Sequence, residues 1–363
     1  MNTSYSKTFV YVSSADDADI GTYEMLSTGK LLVGTRVKAA PLVMPMAIDS
    51  KRQLLFAGSR AAPYTVFVYR INSQNGALTL FDSAPLAESF PFISLDKTGR
   101  YLFSASYRSS LVSVNAIDAD GKVEPHPIQT VPVGQNAHCV RIDATNQFVF
   151  VPCLGSDELT QFKFDQYKGR LDLNTPGAQS AAKGSGPRHF VFSPDNRFVY
   201  LLCELDATIT TFSLDQRTGL LSALWVDSAL PPHSDLQPGL PRGPAVATNT
   251  QPLIRSLDKD IWAADIRITP DGKFLIASER TNSTLTVFRV EPQSGKISQT
   301  SRHETERQPR GFNIDPSSQF VVVTGELSDT ISVYRLEPET GTLLLIEKYP
   351  TGKASSWVEI VNI

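Results

Sequence analysis

Three observations predict an all-β fold for this chain of 363 residues. A hydrophobic strand, a polar turn and a second hydrophobic strand recur six times, for example in "DIRITPDGKFLI". Two further strand-like segments follow each recurrence, and no long segment has the 3.6-residue periodicity of an amphipathic helix. The chain also starts and ends partway through a repeat, which is typical of a ring closed by its own two ends.

The repeat is easiest to follow at the polar residue that closes the first strand of each unit. These anchor residues are Asp49, Asp96, Asp143, Ser193, Thr269 and Asp315, separated by 47, 47, 50, 76 and 46 residues. A polar turn such as "KTGR" follows each anchor, and a strand of aromatic and β-branched residues follows the turn. Four short strands in a unit of roughly 40–50 residues predict the blade of a β-propeller.

The two chain ends predict how the propeller closes. The N-terminal "TFVYVSS" resembles a second strand without a first, and the C-terminal "SSWVEIVNI" resembles a first strand without a second. Joining them completes a seventh unit and leaves few free sheet edges. We therefore predict a seven-bladed β-propeller, residues 1–363 as one domain, in which N- and C-terminal strands share a blade. Separate β-domains in series would explain neither the partial units nor the regular spacing.

The long interval between Ser193 and Thr269 predicts an insertion at about residues 228–260. Six prolines give this segment the composition of a loop rather than of another blade. It joins the last strand of one blade to the first strand of the next, so it should emerge on the face that holds the candidate site. A lid or specificity loop, with His233 and Arg242 contacting a ligand, and a simple surface excursion or oligomer contact are equally good interpretations.

The candidate site lies at one end of the predicted central channel, where the start of each first strand meets the end of each second strand. Five residues before the anchors, and before Ile360 in the shared blade, the chain has Met44, Pro91, His138, Arg188, Ala264, Arg310 and Ser355. Eleven residues after the anchors it has Arg60, Tyr107, Leu154, Glu204, Arg280 and Glu326. Two more polar residues, His189 and Asp265, lie one position further in.

This convergence predicts an anion site. A single arginine or glutamate at the top of a blade is typical of an exposed ion pair, which adds little stability. Several arginines gathered at one level are costly unless they meet an anion. The planar guanidinium group suits a carboxylate or phosphate, and it also stabilises a developing oxyanion. A propeller that only binds partner proteins would not need ionisable residues at one level.

Composition excludes several other classes of function. The net charge of −3 offers no basic surface for nucleic acid or an anionic membrane. The sequence contains no apolar run of the roughly 20 residues needed to span a bilayer, and its N-terminus lacks the pattern of a signal peptide. Three widely spaced cysteines, Cys139, Cys153 and Cys203, suit a reducing compartment. We expect a cytoplasmic monomer or weak homo-oligomer without nucleic-acid or membrane partners.

Motifs for cofactors and covalent catalysis are also missing from the sequence. It contains no GxSxG nucleophile elbow, no Walker A loop, no HExxH helix and no GxGxxG after a strand. The five histidines do not have metal-ligand spacing. We therefore expect neither a metal nor an organic cofactor, and no covalent nucleophile.

Five motifs resemble one known family. They are "GPRH" (186–189), "CELDATITTF" (203–212), "WAADIRITPDGKFL" (262–275), "ERTNSTLTVF" (279–288) and "QPRGFNID" (308–315). In this order they resemble the seven-bladed-propeller 6-phosphogluconolactonases, and the likeness extends over essentially the whole chain. The carboxy-muconate cycloisomerases of the fungal type share that fold. The resemblance implies hydrolysis of a sugar-acid lactone, or lactone formation and opening in the cycloisomerase branch.

The resemblance also implies a catalytic set of histidine, arginine, glutamate and arginine. By motif these are His138 in "NAHCVRID", Arg188 in "GPRH", Glu204 in "CELD" and Arg280 in "SERT". The proline-rich insertion is long for the bacterial lactonases. Both 6-phosphoglucono-δ-lactone and an unphosphorylated aldono- or aldarolactone are therefore candidate substrates.

Lactone hydrolysis requires a base for the attacking water and donors for the oxyanion. A carboxylate held between guanidinium groups is a weak base, so we expect His138 to be the base and Glu204 to orient the water or an arginine. Arg188 and Arg280 would then polarise the carbonyl group. The expected substrate-binding residues are Arg310, for a remote phosphate or carboxylate, with His189, Asp265, Arg60 and Tyr107.

Overall fold

The computed structural model describes residues 6–242 and 256–363. In that part of the chain the backbone forms 28 strands, arranged as seven four-stranded antiparallel sheets. The strands are β1 Thr8–Ser14, β2 Asp19–Met25, β3 Leu31–Lys38, β4 Val43–Asp49, β5 Leu54–Ser59, β6 Thr65–Ile71, β7 Leu78–Pro85, β8 Phe92–Leu95, β9 Tyr101–Ser106, β10 Leu111–Ala116, β11 Gln129–Pro132, β12 Arg141–Ile142, β13 Phe148–Cys153, β14 Glu158–Asp165, β15 Arg170–Ser180, β16 Pro187–Phe192, β17 Phe198–Cys203, β18 Thr208–Leu214, β19 Leu221–Ser228, β20 Ala263–Ile268, β21 Phe274–Glu279, β22 Thr284–Val290, β23 Ile297–Glu304, β24 Phe312–Ile314, β25 Phe320–Thr324, β26 Thr330–Leu336, β27 Leu343–Pro350 and β28 Ser355–Asn362.

The sheets form the predicted ring of seven blades. Six of them contain four consecutive strands, from β4–β7 through β24–β27. The seventh has the order β28-β1-β2-β3, in which Val10 pairs with Ile360 and Phe9 with Val361. The innermost strands of neighbouring blades contact one another around the ring. The seven-bladed propeller and its closure by the two terminal strands are therefore confirmed.

Burial falls from the centre of each blade to its edge. The second strands, such as β5 and β13, are buried along their whole length. The outermost strands, such as β3 and β19, are mostly exposed. Aromatic and branched side chains of the inner strands therefore form the core between blades, and the outer strands face water.

The anchor residues hold the turn between the first and second strands. In one blade, Asp96 Oδ1 accepts hydrogen bonds from the backbone N–H groups of Arg100 (2.7 Å) and Tyr101 (2.9 Å). Asp143 and Asp315 accept bonds from the corresponding N–H groups in their own blades. The hydroxyl groups of the serine and threonine anchors take the same place. A short polar side chain recurs here because the turn leaves buried donors that need an acceptor.

We expect Asp143→Ala to destabilise the fold. Its Oδ1 accepts from the N–H groups of Gln147 and Phe148, and its Oδ2 accepts from Asn196 Nδ2 of the next blade at 3.0 Å. Leaving these donors unsatisfied should reduce the free energy of unfolding by about 2–4 kcal/mol, measured by urea denaturation. Asp143→Asn keeps one side-chain oxygen, so its free energy of unfolding should fall by roughly half as much as that of the alanine variant. If Asp143→Ala unfolds at the same urea concentration as the wild type, this explanation of the anchors is wrong.

The insertion begins where β19 ends at Ser228 and finishes before β20 begins at Ala263. Its described portions lie against one another, because Gln237 N–H donates to the Lys259 carbonyl at 2.8 Å and Ile261 N–H donates to the Gln237 carbonyl at 2.9 Å. Gly239 N–H donates to the Leu205 carbonyl at 2.7 Å. A Cβ at Gly239 would lie within 2.3 Å of the Ile261 carbonyl oxygen, so a glycine is needed there.

The rest of the predicted insertion, residues 243–255, lies outside the described residues. Within residues 6–242 and 256–363, no helix has the length and apolar character needed to cross a bilayer.

Candidate functional site

Two β-bulges direct side chains into the end of the channel. In β16, Pro187 pairs with Cys203 and His189 with Leu202, so Arg188 is an extra residue without a partner. Such a bulge re-aims the side chain of the extra residue. In β28, Ser356 is the equivalent extra residue. Repeat spacing, counted from Ile360, predicts Ser355 at this position. The structure places Ser356 there instead, because this extra residue lies five positions before Val361, as Arg188 lies five positions before Ser193.

The centre of the site is a buried cluster of two arginines and one glutamate. Glu204 Oε2 accepts hydrogen bonds from Arg188 Nε at 2.6 Å and from Arg280 Nη2 at 3.0 Å. Arg188 is 1% exposed, Arg280 2% and Glu204 4%. Arg188 Nη1 also donates to the Ala264 carbonyl, and Arg280 Nε donates to the Trp262 carbonyl at 3.1 Å. Both guanidinium groups are therefore held in place from several sides.

A second set of charges lies beside this cluster. Arg310 Nη1 donates to Glu326 Oε1 at 2.8 Å, and Arg280 Nη1 lies 3.9 Å from Glu326 Oε2. Arg60 differs from the other three arginines, because its Nε is buried without a hydrogen-bond partner and its Nη1 contacts only the sulfur of Met44, at 3.7 Å. In the described part of the chain, Glu204 and Glu326 are the two carboxylates that pair with these arginines.

Together the four arginines and two glutamates leave two positive charges unbalanced. Burial, together with the charges of nearby arginines, lowers the pKa of Arg280 to about 9 and that of Arg60 to about 10. Both groups still remain protonated at neutral pH. Charges crowded out of water in this way are stabilised by an anionic ligand. The electrostatics therefore favour a substrate with negative charge.

His138 lies next to the arginines and is 6% exposed. Its ring packs edge-on against Tyr107, with centroids 5.7 Å apart, and against His189 at 5.1 Å. Burial, together with the charge of Arg188, lowers the pKa of His138 well below the usual histidine range. The imidazole is therefore neutral at neutral pH and can accept a proton.

His189 and Asp265 form a pair deeper in the channel. His189 Nδ1 lies 2.8 Å from Asp265 Oδ1, and Arg267 Nε donates to Asp265 Oδ2 at 3.1 Å. Burial alone would raise the pKa of Asp265, but Arg267 and the hydrogen bond from His189 outweigh it and hold this pKa well below its usual range. Burial and the charge of Arg188 lower the pKa of His189. The pair is therefore a neutral imidazole bonded to a carboxylate.

The insertion reaches the site through one tryptophan. The guanidinium carbon of Arg242 lies 3.8 Å from the centroid of the Trp262 ring, and that of Arg280 lies 3.6 Å from it. Cations at these distances from an indole ring are attracted by its π-electrons. Arg242, one of the two insertion residues considered above, therefore contacts the site indirectly, whereas His233 is exposed.

The structure brings the predicted site residues into one connected group, whose chemical roles remain predictions. They are Arg60, Tyr107, His138, Arg188, His189, Glu204, Asp265, Arg280 and Arg310. Sequence reasoning missed Trp262 and Ser356. The first belongs to the motif "WAAD", two positions before the aligned Ala264, and the second lies in the shared blade, which has no polar anchor from which to count. In the described ranges, no three His, Cys, Asp or Glu side chains are grouped to hold a metal ion.

Solved structures share this architecture. A protein from Bacteroides fragilis aligns with a TM-score of 0.83 at 21% identity, covering 99% of each chain. The periplasmic gluconolactonase PpgL of Pseudomonas aeruginosa aligns with a TM-score of 0.82 at 23% identity, covering 98% of this chain and 99% of its own. At these identities the likeness concerns the fold.

Sequence comparison reaches further. The 6-phosphogluconolactonase of Serratia proteamaculans is 38% identical over 355 residues, covering 98% of this chain and 99% of the relative. That of Yersinia enterocolitica is 36% identical over 358 residues, covering 98% of both. The family model described as "Lactonase, 7-bladed beta-propeller" matches residues 3–360. The chain therefore belongs to the family of seven-bladed β-propeller lactonases.

Proposed function

We propose that this protein hydrolyses the lactone ring of a phosphorylated sugar acid, with 6-phosphoglucono-δ-lactone as its substrate. Membership of the lactonase family and relatives named 6-phosphogluconolactonase support the reaction. The unbalanced positive charge of the site is the main reason to propose a phosphorylated substrate. In particular, Arg60 has no carboxylate partner among the described residues and is available for a phosphate.

The reaction adds water to the lactone carbonyl carbon and breaks the bond from that carbon to the ring oxygen. Neutral His138 takes a proton from the attacking water, and that proton then passes to the departing ring oxygen. Arg188 and Arg280 donate hydrogen bonds to the carbonyl oxygen as it becomes negative. Glu204 already accepts two bonds from these arginines through one oxygen, so its part is to hold them in place.

A substrate panel tests the proposal. The purified protein is mixed with 6-phosphoglucono-δ-lactone, glucono-δ-lactone or a galactarolactone, and proton release is followed at neutral pH against the spontaneous rate. We expect kcat/KM to favour the phosphorylated lactone by about 100-fold, as a charge-assisted contact worth a few kcal/mol provides. A preference for an aldarolactone would overturn the assignment of a phosphorylated substrate. If no lactone is hydrolysed faster than it is spontaneously, the assignment as a hydrolase is overturned.

The phosphate contact can be tested separately. We expect Arg60→Met to raise KM for 6-phosphoglucono-δ-lactone by about 10–100-fold, because one charge-assisted interaction is lost. The unphosphorylated glucono-δ-lactone serves as the internal control, and its kcat/KM should change by less than about threefold. Equal losses on both lactones would show that Arg60 supports the site as a whole and does not bind the phosphate.

The alternatives have less support. The relatives reported above are named as lactone hydrolases, which favours a hydrolase over a muconate-type cycloisomerase. A scaffold that binds only proteins would have no use for buried arginines with unbalanced charge.

Location and assembly are part of the same proposal. We propose a cytoplasmic protein, because Cys139, Cys153 and Cys203 are buried free thiols. The fold itself does not decide the compartment, since a periplasmic gluconolactonase shares it. We also propose a monomer or weak homo-oligomer without nucleic-acid partners. Light scattering of the purified protein and a salt-dependent DNA-binding assay test these two statements.

A further inference from the structure

A small cavity of about 10 Å³ lies beside the arginine cluster, with Arg188 and Arg310 in its lining. Three residues that line it each carry a buried polar atom without a hydrogen-bond partner. These atoms are His138 Nδ1, His189 Nε2 and Ser356 Oγ. They come from three different blades, and the two imidazole rings have centroids 5.1 Å apart.

Buried polar atoms in proteins are nearly always paired, either with protein groups or with an ordered water molecule. A buried water needs a cavity of roughly 10–15 Å³ and two to four polar partners. The cavity provides both. Neither ring nitrogen finds a direct partner in the protein, so a bridging water is the simplest way to satisfy all three atoms.

We propose that a water molecule in this cavity links His138 to the His189–Asp265 pair, which makes His189 and Asp265 positioning residues for His138. The link to catalysis rests on the lactone hydrolysis proposed above. In this proposal His189 and Asp265 act through His138 and do not contact the substrate.

The direction of the hydrogen bond at His189 follows from Asp265. Its carboxylate is ionised and accepts the proton on His189 Nδ1, which leaves His189 Nε2 as an acceptor. In the proposed link, the water donates one hydrogen to this nitrogen and the other to Ser356 Oγ. Its oxygen then accepts the proton on His138 Nδ1. His138 is thereby held as the tautomer whose Nε2 has a free lone pair, and this is the nitrogen that takes the proton of the attacking water.

The positions of His189 and Asp265 fit this assignment better than direct substrate contact. Asp265 is 2% exposed, and both of its oxygens are used: Oδ1 by His189 and Ile266 N–H, and Oδ2 by Arg267. His189 is 4% exposed and packs against Phe92 on another side. Neither residue has a free polar atom at the mouth of the channel.

Several charged groups surround the two rings and belong in any account of their protonation. The titratable and charged neighbours of His138 and His189 are Tyr107, Arg141, Arg188, Asp265, Arg280 and Arg310. Burial and the charges of the arginines lower the pKa of both rings and keep them neutral, so at neutral pH the water link decides the tautomer and not the charge.

The test compares His189→Asn with His189→Gln. An asparagine amide reaches about as far as Nδ1 of histidine, whereas a glutamine amide reaches about as far as Nε2, so only glutamine keeps an acceptor for the water. Nitrogen-15 NMR of protein labelled at histidine reports which ring nitrogen of His138 carries the proton, with His138→Gln used to assign its signals. Wild type and His189→Gln should show the proton on Nδ1, and His189→Asn should show a mixture of tautomers.

Kinetics provide the second readout. We expect His189→Asn to lower kcat by about 10–100-fold with KM nearly unchanged, and His189→Gln to recover most of the loss. If His189→Asn does not fold, Asp265→Asn gives the same NMR comparison with less change of shape. The proposal is overturned if His138 carries its proton on Nε2 in the wild type, or if the tautomer of His138 is unchanged in the asparagine variants. The NMR result needs no substrate, so a wild type without lactonase activity overturns only the proposed function.

Discussion

Arg188→Met should lower kcat/KM for 6-phosphoglucono-δ-lactone by about 10²–10³-fold while the propeller stays folded. Arg188 is the bulge residue of β16, is buried, and is held by Glu204 and the Ala264 carbonyl. These contacts fix the direction of its guanidinium group before the substrate arrives. A preorganised donor of this kind stabilises the oxyanion without reorganisation during the reaction. Methionine fills much of the same volume without donating hydrogen bonds.

Controls separate this role from a loss of structure. Arg188→Lys keeps the positive charge but loses the planar fork, so it should recover only part of the activity. Arg302→Met, in the outer strand β23, removes an arginine that contacts Thr284 and should leave kcat/KM within about threefold of wild type. Stability is measured for all three by thermal unfolding. Near-wild-type turnover in a folded Arg188→Met protein would remove this arginine from the proposed mechanism.

Glu204→Ala should have the largest effect on stability among changes at the site. It leaves Arg188 and Arg280 without the carboxylate oxygen that accepts a bond from each. Removing one member of a buried ion pair costs about 3–5 kcal/mol, because the remaining charge is left without compensation. We expect a loss of that size in urea denaturation, and a fall in kcat/KM of at least about 100-fold because both arginines are released.

Glu204→Gln distinguishes positioning from base catalysis. Glutamine keeps an oxygen that can accept from a guanidinium group, but it cannot take up a proton. If Glu204 holds the arginines, the glutamine variant should keep clearly more activity than the alanine variant. Equal and near-complete loss in both variants would instead identify Glu204 as the base, and His138 would lose the role proposed for it.

Much of the architecture follows from local sequence rules. The anchors recur because the turn after the first strand needs a short acceptor for its backbone N–H groups, a need that five blades meet in nearly the same way. Short runs of aromatic and β-branched residues between polar turns give the strands, and the partial units at Thr8–Ser14 and Ser355–Asn362 predict the closure. These features depend on neighbours within about ten residues, so they can be derived without knowing the tertiary fold.

For the candidate site, the same local rules predict which residues gather, but not how their side chains pair. Constant spacing from the anchors brings His138, Arg188, Glu204 and Arg280 to one end of the channel, and the structure brings them together there. Spacing is wrong by one residue in the shared blade, where Ser356 takes the place expected for Ser355. That blade has no polar anchor to count from, and strand pairing aligns the apolar Val361, not Ile360, with the anchors of the other blades.

The sequence by itself determined the all-β class, the seven blades, the closure by the two chain ends and the residues that gather at the channel. Only the tertiary structure decided which charges pair, that Arg60 lacks a carboxylate partner among the described residues, and that His189 bonds to Asp265. Glu204 lies 16 residues from Arg188 and 76 from Arg280, and each bond depends on tenths of an ångström. Repeat spacing carries no such detail, because side-chain pairing between blades is set by packing in three dimensions.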